Sequence, residues 1–275
     1  MRKIAVIGIG AGDPRQVTME AVEALREADV FFILDKGSLT QQLIDVRQEI
    51  LDRYVPGRSY RLVHAADPER DRDAGGYAEA VTDWRRRRAT AYEQLITGEL
   101  GDGQTGAFLV WGDPALFDST LPILADLAAH GVAFELAVIP GISSVSALAA
   151  RHRITLNRIG SPVEITTGRR LAQQWPPGAD DVVVMLDSRA AFGQFAGEEN
   201  VDIFWGAYLG TPDEILISGP LTQVAGRIAA LRAEARARKG WIMGTYLVRR
   251  RVRLSRNLDV NAIRWLCVPR IYGQS

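Results

Sequence analysis

Cysteine is almost absent: Cys267 is the only one in 275 residues. That excludes an internal disulfide framework and any cysteine-rich metal centre, and no metal is expected. Histidine is scarce too. His64, His130 and His152 are scattered, and no catalytic triad is legible around them. Only Lys3, Lys36 and Lys239 are lysines, so positive charge rests on arginine. Arginine suits bidentate recognition of carboxylates, although from composition alone compositional bias is the stronger account. No apolar run reaches the roughly 18 residues of a membrane helix, so no membrane partner is expected. The 33 basic residues balance the 33 acidic ones. That balance argues against a nucleic-acid partner held by phosphate contacts. Met1-Arg2-Lys3 leads straight into an apolar strand followed by glycines, so no signal peptide is read and a cytoplasmic location is expected.

What is present is an alternation of strand-like and helix-like segments over a chain that is 47% hydrophobic, enough for a substantial core. The fold class predicted is α/β in two domains. Residues 4–7, 29–34, 59–63, 106–111 and 134–139 are predicted strands. Helices are predicted at 18–28 with Thr18 as N-cap, at 80–100, at 122–130 and at 143–151. A stretch at 153–162 without apolar period is the candidate linker, and strands follow at 163–167, 181–186, 201–208, 215–217 and 241–248. The domains expected are 1–155 and 160–250, with a basic tail at 251–275. Residues 68–76 read as an exposed charged loop.

Three loops carry candidate chemistry. Gly8-Ile9-Gly10-Ala11-Gly12-Asp13-Pro14 follows the first strand. A dinucleotide fingerprint would need glycine at 13, and Asp13 before a helix would repel a pyrophosphate. A plain strand-to-helix turn and a binding loop both fit this segment. Trp111-Gly112-Asp113-Pro114-Ala115-Leu116-Phe117-Asp118-Ser119 repeats the Gly-Asp-Pro triplet after another strand. Pro140-Gly141-Ile142-Ser143-Ser144 precedes a helix, where its hydroxyls either cap that helix or bind a polar ligand. All three are predicted at one sheet edge, outside the carboxyl ends of the strands, where ligands gather in open α/β sheets.

The order Gly-x-Gly-x-Gly-Asp-Pro, Gly-Asp-Pro-x-x-Phe-x-Ser, Pro-Gly-x-Ser-Ser resembles the tetrapyrrole methylase family over residues 2–250. Within it, Leu34-Asp35-Lys36-Gly37, the charged insert before Trp84 and Gly240-Trp241-Ile242-Met243 look most like the members that methylate a precorrin and release its acetyl group as acetate. The resemblance implies S-adenosylmethionine folded in a trough between two α/β domains. It implies cofactor contacts at Trp111, Gly112, Asp113, Phe117, Ser143, Ser144 and Met185. Gly206, Ala207 and Tyr208 with Gly219, Pro220 and Leu221 would close the adenine side. The tetrapyrrole would lie against Gly10 and Gly12, its carboxylates clamped by Arg15 and Arg47. Asp13, Asp35 and Tyr92 are the candidate bases for acetate release. Relatives imply a homodimer. Many relatives have proline where Ala11 stands.

Other readings remain at this stage. Arg85-Arg86-Arg87-Arg88 is by default a solvated helix face, and His130 and His152 are helix-terminal charges. A different substrate on the same fold, a nicotinamide oxidoreductase with Asp35 as ribose acid, and a non-enzymatic partner docking through its basic tail are the alternatives.

Overall fold

The computed structural model describes residues 1–35, 41–68 and 77–251. Two five-stranded sheets follow one another along the chain, as the ten predicted strands require. The first contains β1 (Lys3–Gly8), β2 (Val30–Asp35), β3 (Arg61–Ala66), β4 (Thr105–Val110) and β5 (Glu135–Ile139), in the order β3-β2-β4-β1-β5 with every pair parallel. Its central strands β1, β2 and β4 are continuous apolar runs because both of their faces are covered. Ala5, Ile7, Phe31 and Leu109 pack beneath α1 (Met19–Glu27) and α2 (Gln41–Tyr54). Ile4, Val6, Phe32 and Phe108 pack beneath α3 (Tyr77–Glu99) and α4 (Thr120–Ala129). Thr18 caps α1 as predicted, accepting the Ala21 amide at 3.1 Å.

The second sheet is mixed. It comprises β6 (Val163–Thr167), β7 (Asp181–Met185), β8 (Val201–Ala207), β9 (Ile215–Pro220) and β10 (Gly244–Arg250), in the order β6-β7-β10-β8-β9. Only β6 and β7 pair in parallel; β10 and β9 run antiparallel to their neighbours. On one face α7 (Leu221–Lys239) buries Leu221, Ile228 and Ala235 against Val182, Val184, Ile203 and Trp205. On the other, α5 (Ser144–His152) packs Val145 and Leu148 against Val183 and Leu247, with Ala11 of the first loop in the same cluster. Complete burial of Leu148 there contributes about 1.5–3 kcal/mol. It joins the two halves into one body.

The linker at 153–162 carries no regular element. It is pinned instead: Arg249 donates to the carbonyls of Thr155 at 2.9 Å and Leu156 at 3.1 Å. The short helix α6 (Gly168–Leu171) follows β6, and a 3-10 turn at Ala191–Phe195 follows β7. The exposed loop expected at 68–76 lies outside the described residues apart from Pro68, and so does the tail beyond Arg251.

Candidate active site

The loops after β1, β4 and β5 meet backbone on backbone. Gly10 and Gly112 form an antiparallel bridge, with Gly112 N–H donating to Gly10 O at 2.8 Å. A Cβ on Gly8 would lie 2.5 Å from Gly141 N, and one on Gly141 would lie 2.1 Å from Gly112 O. No side chain fits between these loops, which is why glycine recurs at each. The convergence expected from parallel strand order is therefore present. Asp113 fastens it: one carboxylate oxygen accepts the Ala115 amide at 2.7 Å, the other the Gly141 amide at 2.9 Å. Its carboxylate thus braces the loop.

Ser143 caps α5, its hydroxyl accepting the Ser146 amide at 3.2 Å. Capping and ligand binding stand as alternatives in the sequence; capping is what the geometry shows. Ser144 accepts a hydrogen bond from Thr245 of β10 at 3.0 Å, across to the second half. A second crossing lies at the first loop. A Cβ on Gly12 would sit 2.7 Å from Thr211 Cγ2 and 3.0 Å from Leu209 O, and one on Gly210 2.9 Å from Asp13 N. A third is apolar, where Leu116 and Met185 pack against the shared cluster. Hence the first loop faces the end of β8, the third loop the start of β10, and the second loop the end of β7.

Several expected site residues need correction. Tyr92 is in the core on α3, stacked on Phe108 with centroids 4.5 Å apart and bonded to Thr120 at 3.2 Å. Burial pushes its hydroxyl above the ordinary tyrosine range, so it is neither exposed nor a base. Arg47 donates to the carbonyls of Leu43 at 2.7 Å and Leu109 at 3.1 Å, and burial pulls it down to about 10. It buttresses the end of β4. Asp13 caps the turn at Pro14–Gln16 and pairs with Arg15 at 2.8 Å. The Arg15 hydrogen bond holds its carboxyl below the usual range, which makes it a weak base and engages the arginine expected to clamp substrate.

In the second half, the Tyr208 hydroxyl donates to Trp241 O at 2.6 Å and its ring lies in the core, so only its backbone faces the first loop. Gly206 admits Leu148 and Leu209, to which a Cβ would come within 3.0 and 2.7 Å. Gly219, Pro220 and Leu221 do not join Ala207. Because β9 is antiparallel to β8, Pro220 pairs with Asp202 while Ile215 pairs with Ala207. The two segments are at opposite ends of the sheet, about 17 Å apart at strand rise. Leu221 is fully buried as the first residue of α7. Asp35 ends β2 at the same sheet edge as the three loops; its side chain, with Lys36 and Gly37, lies outside the described residues. His152 does end α5, as expected, but its surroundings disfavour the charged form. Its ring is half-buried against Trp205 O at 3.0 Å, and burial lowers its pKa. Arg88 departs from the solvated run by pairing with buried Asp67 at 2.7 Å.

Two side chains at the site stand out. Phe117 (φ +53°) and Leu186 (φ +53°) are left-handed without being glycine, and both are exposed. Such backbone costs about 1–3 kcal/mol and persists only where its surroundings enforce it. The sequence signals Phe117 but not Leu186. The one hint is the following Asp187-Ser188-Arg189, an Asp-initiated turn in which Asp187 accepts the Arg189 amide at 2.9 Å.

The converging loops thus bring together backbone from three glycine turns, the Ser144 hydroxyl and apolar Leu116 and Met185, while the indole N–H of Trp111, whose ring packs on the core beneath α1 and α2, is buried without a hydrogen-bond partner among the described residues. This mixture suits a ligand with polar ends and a flat apolar body. Among the described residues no cluster of metal ligands occurs, and no helix is long and apolar enough to cross a membrane.

Residues 3–225 match the family model for Tetrapyrrole (Corrin/Porphyrin) Methylases. The chain is 51% identical over 251 residues to a Precorrin-6A synthase [deacetylating] of a Sinorhizobium species, covering 91% of this chain and 96% of that one. It superposes with TM-score 0.77 and 37% identity on the crystal structure of a cobalamin synthesis related protein (CobF) from Corynebacterium diphtheriae, covering 91% and 99% of the two chains. A fold match of TM-score 0.50 and 17% identity, over 90% and 96%, is to a Thermus thermophilus uroporphyrin-III C-methyltransferase complexed with S-adenosyl homocysteine.

Proposed function

The chain belongs to the tetrapyrrole (corrin/porphyrin) methylase family, and on that premise we propose that it methylates precorrin-5 at C-1 and releases the acetyl group as acetate, as a precorrin-6A synthase. It is an S-adenosylmethionine-dependent methyltransferase of cobalamin biosynthesis. The observation that supports this substrate is the identity to the Sinorhizobium synthase over nearly the full length of both chains. The nicotinamide reading is dropped, since Asp13 caps a turn where a third fingerprint glycine would stand.

S-adenosylmethionine supplies the methyl group as a sulfonium already activated for transfer. The chain's own contribution is positioning and exclusion of water. Gly112 and the Ser143–Ser144 turn hold the cofactor side, with Trp111 N–H as a buried donor and Met185 as an apolar wall. In the overall change water would add to the acetyl carbonyl, the bond from that carbon to the macrocycle would break with its electron pair left on the ring carbon, and acetate would leave with two protons. The new bond from that ring carbon to the methyl would replace the sulfur–methyl bond, leaving S-adenosylhomocysteine. Asp35, which ends β2 at the same sheet edge as the three loops, is the acid proposed to orient that water. Leu136 and Val138, exposed on edge strand β5, support a homodimer.

Calorimetric titration with S-adenosylhomocysteine, alongside NADH and NADPH, tests the class. Micromolar binding of the homocysteine product alone is expected, followed by one acetate per methyl transferred from precorrin-5. Binding of a nicotinamide nucleotide instead, or methylation without acetate, rejects the corresponding part.

A further inference from the structure

The seam between the two halves is closed at one end. At the first loop, backbone meets backbone around Gly12, Leu209 and Gly210. Along the sheets the contacts run from that loop to the second loop and the end of β7, and the next strands outward are β2 in one sheet and β6 in the other. The side of the seam away from the first loop is therefore flanked on the second half by the ends of β6 and β7.

Those two ends carry three arginines and one bare leucine. Arg169 and Arg170 start α6 after β6, Arg189 follows β7, and all three are exposed. Leu186, between them, is 66% exposed. They share one anchor, the buried carboxylate of Asp187. It accepts the Arg189 amide at 2.9 Å, the Ala191 amide at 2.7 Å and the Tyr246 hydroxyl at 2.7 Å. Gly168, next to Arg169, lies so close that a Cβ there would sit 2.4 Å from Asp187 Cγ. Arg232 binds the Asp187 carbonyl at 3.0 Å. These fixed bonds on one side, and the Met185 cluster on the other, hold Leu186 in its left-handed turn with its side chain in water.

An exposed apolar side chain beside several guanidinium groups matches a flat apolar ring edged with carboxylates. Arg15 and Arg47 are engaged elsewhere, one with Asp13 and the other with the Leu43 and Leu109 carbonyls. We propose that Arg169, Arg170 and Arg189 form the carboxylate-binding rim of the tetrapyrrole site, with Leu186 against the ring face. This rests on the methyltransferase reading and names the substrate-gripping residues within it.

The test compares the wild type with the triple variant Arg169→Ala/Arg170→Ala/Arg189→Ala, its triple-lysine counterpart, and Leu186→Ala. Affinity for uroporphyrin, a stable polycarboxylate tetrapyrrole, is read by fluorescence and affinity for S-adenosylhomocysteine by calorimetry, with melting curves to confirm folding. The alanine triple should weaken uroporphyrin binding at least about tenfold and flatten its salt dependence, with lysine restoring only part. Leu186→Ala should weaken uroporphyrin and leave S-adenosylhomocysteine within about twofold. Uroporphyrin affinity indifferent to the triple variant overturns the rim, as does an equal loss of S-adenosylhomocysteine. A wild type that binds no S-adenosylhomocysteine overturns the underlying methyltransferase reading instead.

Discussion

The carboxylate of Asp113 spans from its own loop to the Gly141 amide, 2.9 Å away, and so fixes the turn after β4 against the turn after β5. These two turns together shape the cofactor side of the proposed site. Asp113→Ala leaves the Ala115 and Gly141 amides without their charged acceptor, and bonds to charged groups are worth about 1.5–3 kcal/mol each. Water recovers part of this at exposed Ala115. A net loss of about 2–3 kcal/mol in urea unfolding is expected, with S-adenosylhomocysteine affinity down about tenfold. Asp113→Asn, keeping one carbonyl oxygen, should fall between. Unchanged affinity in the alanine variant would mean that the two turns hold their shape without the brace.

Gly12 carries a different constraint. At φ +136° a side chain is strained, and its Cβ would strike Thr211 and the Leu209 carbonyl. Gly12→Ala must push the halves apart at the closed end of the seam. A cost of about 2–4 kcal/mol is expected, combining backbone strain with overpacking. Gly57→Ala is the control: φ is +72° but nothing lies within 4 Å, so only the strain of about 1 kcal/mol should appear. Equal melting temperatures for the two variants would disprove the steric part.

How far the sequence disclosed this arrangement depends on what kind of signal each part leaves. The parallel half was legible because buried parallel strands such as β1 and β4 are uninterrupted apolar runs ending at glycine-bearing turns. Convergence of the three turns followed from strand direction alone. Helix α7 was not legible, because Gly226 and its many arginines mask any apolar period. Nor was the reversal of β9, which sends Gly219, Pro220 and Leu221 to the far end of the sheet: order along a chain does not state direction across it. Tyr92 and Arg47 were misjudged for a related reason. Each lies close in sequence to polar neighbours, yet α3 and α2 turn those side chains inward.

Tyr246 makes alkaline pH a probe of the second half. Burial, and then the charge of Asp187 beside it, push its hydroxyl well above the ordinary tyrosine range. The folded protein therefore holds that proton more tightly than the unfolded chain, whose tyrosine titrates near ~10. The stabilisation is complete below that pH and is lost as pH climbs beyond it. Ultraviolet titration should show no ionisation of Tyr246 until the protein unfolds. Tyr246→Phe should cost about 1–3 kcal/mol at neutral pH and flatten the alkaline decline. Reversible ionisation of Tyr246 near the ordinary value in folded protein would refute the buried bond to Asp187.

Asp181 decides whether the linker is a hinge or a fixed strap. Its carboxylate is wholly buried and meets two guanidinium groups, Arg158 from the linker at 3.3 Å and Arg249 from β10. Arg249 in turn grips the linker carbonyls of Thr155 and Leu156. Removing one side of a buried ion pair leaves the other charge uncompensated, at a cost of about 3–5 kcal/mol. Asp181→Asn should approach that figure in urea, and limited proteolysis should begin to cut within residues 153–162. Replacing all three partners with apolar residues of similar volume should restore much of the stability, since the pair's own net worth is small. The linker should nevertheless stay open to protease in that triple variant, because the Arg249 grip on its carbonyls is gone. If the triple variant resists cleavage like the wild type, packing alone fixes the linker and the Asp181 cluster is not its fastening.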